Sequence, residues 1–103
     1  MNESEYQKQL IKKIKALIPN CKVLKNDPTA VQGIPDLTIF YRNSWAMLEV
    51  KMSADAKVQP NQEHYISHFN KMYFAEFIHP GNEEEVLRDL QSAFGIRGKA
   101  RLS

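Results

Sequence analysis

Asp36, Glu49 and Lys51 have the types and spacing that chemistry can use. Asp36 follows directly on Gly33-Ile34-Pro35, and Glu49 and Lys51 stand two apart in the run Leu48-Glu49-Val50-Lys51. In an extended strand, residues two apart point to the same face, so Glu49 and Lys51 share one face and Val50 takes the other. Asp36 opens the preceding apolar run, DLTIFY, and a hairpin between the two runs can bring its carboxylate close to that of Glu49. Two carboxylates held that close repel each other, so either one takes up a proton or a cation sits between them. Oxygen ligands of this kind suit Mg²⁺, which keeps several waters and binds through one or two carboxylates plus substrate phosphate. A nearby lysine can orient or help deprotonate an attacking water and stabilise charge on the phosphate. The set fits metal-assisted phosphodiester hydrolysis.

The surrounding sequence has to deliver these groups. Pro35 holds Ile34 extended, and Gly33 lets the backbone turn tightly or approach a ligand. Apolar spacing predicts a helix over 3–18, with Tyr6, Leu10, Ile14 and Leu17 inward and Ile11 and Ile18 widening the stripe. Asn2 with Glu5, or Ser4 with Gln7, can cap it. Strands are predicted at 21–25, 36–41, 45–52 and 72–78, and turn-forming residues fill 26–33, 42–44 and 53–60. The runs 36–41 and 45–52 read as a hairpin. Further helices are predicted at 60–71, with Tyr65, Ile66 and Phe69 on one side, and at 83–93, capped by Asn82 with Val86, Leu87 and Leu90 inward. The order α-β-β-β-α-β-α implies an α/β sandwich around a mixed sheet.

Composition sets outer bounds. A chain of 103 residues, 43% hydrophobic and 25% charged, fits one globular domain and excludes a disordered polymer. We expect that domain to occupy 1–95, followed by a basic tail at 96–103. The net charge of +2 conceals basic stretches at 8–25 and 97–101 and an acidic one at 83–89. Cys21 is the sole cysteine, which excludes an intrachain disulfide and fits a reducing compartment. No apolar run approaches membrane-spanning length, so a cytoplasmic protein without a membrane segment is expected.

With Pro35-Asp36 and Glu49-Val50-Lys51 in place, the chain resembles the PD-(D/E)xK nuclease superfamily. Its wider pattern is similar to the VRR-NUC branch, the virus-type replication-repair nuclease domain. That branch shows an early helical Glu, then Gly-x-Pro-Asp-Leu, then Glu-x-Lys, then Pro-x-Gln before a helix. Here these stand as Glu5, GIPDL at 33–37, LEVK at 48–51 and PNQ at 60–62. Where the branch often has Gly before its last strand, this chain has Lys71-Met72.

The resemblance implies a single-domain restriction-endonuclease-like core, α-β-β-β-α-β, with a mixed sheet flanked by helices. It implies that Asp36 and Glu49 ligate Mg²⁺ or Mn²⁺, with the Val50 backbone carbonyl as a third ligand, and that Lys51 is the catalytic lysine. Glu5 would reach the site from the first helix, to support the metal ligands or to bind a second metal, and Gln62 would order the site or contact the DNA backbone. Glu3 competes with Glu5 for its place, and Gln59 with Gln62. The expected activity is a metal-dependent DNA endonuclease leaving 5′-phosphate and 3′-hydroxyl ends. Branched DNA such as a Holliday junction is the leading substrate. A homodimer is expected, in a bacterial or phage-infected cell. The alternatives are a nuclease on nicked, flapped or ordinary duplex DNA, or on RNA, and a non-catalytic DNA-binding module on the same fold.

Other conspicuous residues carry plainer readings. His64 and His68 are four apart on a helix, a spacing that suits Zn²⁺, but no Cys or further His completes a set. Lys22, Lys25, Arg97, Lys99 and Arg101 are candidate phosphate contacts on what is otherwise solvated basic surface. Cys21 reads as a small core residue, Asp27 and Asp55 as turn formers, and Tyr41 and Trp45 as packing beside the hairpin.

Overall fold

A computed structural model of the chain describes residues 1–96. The basic tail beyond Ile96, with Arg97, Lys99 and Arg101, lies outside the described residues. The elements are α1 (Glu3–Leu17), β1 (Lys22–Lys25), β2 (Leu37–Tyr41), β3 (Ser44–Val50), α2 (Pro60–Met72), β4 (Ala75–Ile78) and α3 (Glu83–Ala93). The strands lie side by side in chain order, with β1 and β2 antiparallel, β2 and β3 antiparallel, and β3 and β4 parallel. The expected α/β architecture with a mixed sheet is therefore the one observed.

Alternation along β3 divides the sheet into two faces. Ala46, Leu48 and Val50 are fully buried, and they join Leu37, Ile39 and Ile78 in a core closed by α1 through Tyr6, Leu10 and Ile14, and by α3 through Val86, Leu87 and Leu90. Each large aliphatic side chain removed from water there contributes about 1.5–3 kcal/mol before the entropy of ordering is subtracted. Trp45, Met47 and Glu49 point to the opposite face, where α2 packs. Phe69 of α2 meets the Trp45 ring edge-on at 6.0 Å, and Tyr65 stacks on Phe69 at 5.8 Å. Tyr41 stacks on Phe94 at 5.6 Å. Both hairpin aromatics are thus engaged in packing.

Several boundaries differ from the sequence expectation. Ile18, not Leu17, completes the buried stripe of α1, because the strict four-residue steps from Tyr6 carry it inward and leave Leu17 40% exposed. Asn2 is the helix cap, its Oδ1 accepting from the Glu5 amide at 2.9 Å. The hairpin turn is shorter than expected, with Arg42 in the left-handed region at φ 55° and Tyr41 paired to Ser44. β4 begins at Ala75 rather than 72, because α2 runs on through Met72 and the Tyr73 amide still donates to the Phe69 carbonyl. Asn82 precedes α3, but its side chain accepts from the His79 amide and donates to the Phe77 carbonyl instead of capping the helix.

Candidate active site

The register of the hairpin builds the site. Leu37 pairs with Leu48, so the next position outward sets Asp36 beside Glu49. Side chains replace the ladder at that point. The Val50 amide donates to Asp36 Oδ2 at 2.9 Å, and the Asp36 amide donates to Glu49 Oε1 at 3.2 Å. Each carboxylate is thus fastened to the backbone of the other's strand.

The segment leading to Asp36 is held from two sides. Asn26 donates its Nδ2 to the Pro35 carbonyl and to Thr38 Oγ1, both at 2.8 Å, and its amide donates to the Asp36 carbonyl at 2.8 Å. Gly33 adopts φ +86°, and a Cβ there would lie 2.4 Å from Asn61 Cβ. The glycine is therefore needed both for its conformation and for the close approach of the N-terminus of α2.

Past the end of β3, Lys51 turns its Nζ back to the site. It lies 3.6 Å from Glu49 Oε2 and donates to Gln62 Oε1 at 2.9 Å and to the Lys57 carbonyl at 3.0 Å. Gln62, in the first turn of α2, donates its Nε2 to Glu49 Oε2 at 2.8 Å, while its Oε1 also accepts from the Gln59 amide at 3.0 Å. One carboxamide therefore joins the carboxylate, the lysine and the start of a helix. Gln59 contributes its backbone rather than its side chain to this link.

Electrostatics sets the two carboxylates against their surroundings and against each other. Glu49 is 3% exposed. Burial first, and the neighbouring Asp36 second, push its carboxyl up to about 7, against the pull of Lys51. Burial also raises Asp36, opposed by the Val50 amide and Lys51. Neither charge is fully compensated by protein groups, which is the condition that a divalent cation relieves. Two carboxylates facing each other at a half-open sheet end, with the remaining positions left to water and phosphate, fit Mg²⁺ or Mn²⁺.

Asp36, Glu49, Lys51 and Gln62 are thus gathered into one network. Glu5 is not part of it: it lies exposed in the first turn of α1, as does Glu3. Next to Glu5, Tyr6 donates its Oη to Glu83 at 2.8 Å, which ties the start of α1 to the start of α3. Among the described residues no group of three or more His, Cys, Asp or Glu is placed to hold a metal. His64 and His68 lie exposed on α2, their rings stacked 6.1 Å apart. Lys22 and Lys25 lie exposed on β1, the edge strand. Cys21 packs half-buried against the core, and burial raises its thiol. Asp27 accepts from the Thr29 amide and hydroxyl, and Asp55 from Ser53, as turn residues do.

Sequence reasoning missed Asn26 and the Lys57 carbonyl. Asn26 looked like one turn former among several, and only the β1–β2 pairing places it against Pro35 and Thr38. A backbone carbonyl carries no residue-type signal at all.

No protein-family model matches the chain, and no curated protein does. Among solved structures the fold is similar to that of a VRR_NUC domain protein, with a TM-score of 0.69 over 93% of this chain and 90% of that one, at 19% sequence identity. No helix of the described residues is long and apolar enough to cross a membrane. The chain has the fold of a VRR_NUC domain.

Proposed function

We propose that the protein is a metal-dependent DNA endonuclease that hydrolyses phosphodiester bonds and prefers branched DNA such as a four-way junction. The observation that carries the reading is the pair of the buried Glu49 and the half-buried Asp36, locked strand to strand and short of compensating charge, with Lys51 beside it. A binding module gains nothing from buried acids that repel phosphate. Asp36 and Glu49, with the Val50 carbonyl, would hold Mg²⁺ or Mn²⁺. When bound, the ion would polarise the scissile phosphate, lower the pKa of an attacking water and neutralise charge on the leaving oxygen.

The chain's own groups do the rest. Lys51, fixed by the Lys57 carbonyl and Gln62, would offer its ammonium to the attacking water and the phosphate. Gln62 positions both Lys51 and Glu49. Glu5 is assigned an outer role from α1, and Lys22 and Lys25 supply phosphate contacts that set register without reading sequence. Preference for branched DNA, action as a homodimer, and a cellular or phage role in DNA processing follow from the sequence resemblance described above.

The test is cleavage of a labelled four-way junction beside a matched linear duplex, with Mg²⁺, Mn²⁺ or EDTA, by the wild type and Lys51→Ala. Paired, metal-dependent cuts at the junction that Lys51→Ala loses by at least about 100-fold are expected. Equal cleavage of both DNAs removes the branched-DNA preference and keeps the nuclease. DNA binding without any cleavage removes the nuclease.

A further inference from the structure

A cleft of about 290 Å³ opens beside the site, lined by Gln32, Gly33, Gln59, Pro60, Asn61 and Gln62. Gly33 and Asn61, which approach each other closely, both line it, and so does Gln62, which bonds Glu49 and Lys51. Whatever occupies the cleft is therefore a neighbour of the scissile phosphate in the reading given above, on which this inference rests.

The lining is chemically unusual for a nucleic-acid surface. It holds four carboxamides and no charged side chain. Gln32, Gln59 and Asn61 are exposed, and the side chains of Gln32 and Asn61 make no hydrogen bond among the described residues. Carboxamides present a donor and an acceptor side by side, the pattern that pairs with a base edge; they also meet phosphate, but a surface that binds backbone alone carries Lys and Arg, which this lining lacks. Val31 and Val58, next in sequence to Gln32 and Gln59, are exposed apolar residues on the same two loops. The volume stands at the lower end, about 300 Å³, of small-molecule pockets, room enough for a single base.

We infer that this cleft receives a single unpaired nucleobase adjoining the scissile phosphate, held by the carboxamides of Gln32 and Asn61. A base in a continuous duplex must be unstacked and unpaired before it reaches such a cleft, and a base at a branch, flap or mismatch is already free. The cleft would then favour DNA with an unpaired nucleotide next to the cut.

The experiment measures binding by the wild-type protein in EDTA, where hydrolysis is blocked. The probes are two labelled flap oligonucleotides, identical except that one has an abasic site at the unpaired position. The wild type should bind the complete flap on the order of 10-fold more tightly than the abasic one. The double variant Gln32→Ala, Asn61→Ala should bind both as weakly as the wild type binds the abasic flap. Equal affinity of the wild type for the two flaps overturns the inference. So does a difference that survives in the double variant, or no binding of either DNA. A parallel incubation with Mg²⁺ reports cleavage separately. A base-dependent affinity without cleavage would sink the nuclease reading and leave the cleft assignment standing.

Discussion

Replacing Glu49 by Gln should stabilise the protein against rising pH while abolishing cleavage. Glu49 titrates at about 7 in the folded chain against an ordinary 4.5. Between these values the folded chain holds a proton that the unfolded chain has released. Stability therefore falls as pH rises from about 4.5 to about 7 and stays flat above. The gap corresponds to about 3 kcal/mol. A neutral glutamine keeps an acceptor for the Asp36 amide and escapes that loss, but it turns an NH2 toward Gln62 Nε2, which donates to Glu49 Oε2 in the wild type. That cost is independent of pH, so the variant should gain on the wild type by about 3 kcal/mol between pH 4.5 and pH 8. With a urea m-value of about 2 kcal/mol/M, the difference between the two midpoints shifts by about 1.5 M over that range. Urea unfolding followed by circular dichroism at both pH values, without divalent metal, is the assay. Adding Mg²⁺ should raise the wild-type midpoint and leave the variant's unchanged. A difference between variant and wild type that is the same at both pH values would refute the account of Glu49 as a charge held against its own burial.

Other expectations are as direct. Gly33→Ala should cost about 3 kcal/mol in urea unfolding, because it combines a left-handed φ with a Cβ driven into Asn61. Asn26→Ala should cost about 2 kcal/mol and lower cleavage, since it leaves the buried Thr38 hydroxyl without its partner and loosens Pro35-Asp36. In a pH–rate profile, cleavage should rise through about 7 as Glu49 releases its proton, and saturating Mg²⁺ should move that limb to lower pH. A profile that falls over the same range would argue for a protonated Glu49 as the active form.

The geometry of the candidate site was legible where it follows from a period of two. Alternation alone put Glu49 and Lys51 on one face, and the hairpin alone set Asp36 opposite Glu49. The order of elements was legible for the same reason, since apolar spacing distinguishes helix from strand. Boundaries were less so. Leu17 and Ile18 are equally apolar, and only packing against the sheet decides which goes inward. Met72 and Tyr73 open the apolar run MYFAEFI, which reads as one strand, yet the helix absorbs Met72, itself a good helix former, and ends at Tyr73. What could not be read were contacts between segments distant in sequence. Asn26 beside Thr38, Gly33 under Asn61 and Lys51 on the Lys57 carbonyl depend on how loops close, which no local pattern encodes.

β3 is an interior strand, bonded to β2 on one side and β4 on the other, and the Lys51 amide extends the second ladder to the Ile78 carbonyl. The backbone carrying Glu49 can be released only by breaking the sheet at its centre. Its slowest hydrogen exchange should therefore track global unfolding, whereas the loops at 27–34 and 52–59 can open on their own. The two regions are free to drift at different evolutionary rates. Substitutions that retune what the loops touch leave the acid pair where folding put it, so a lineage can change its substrate without rebuilding its chemistry.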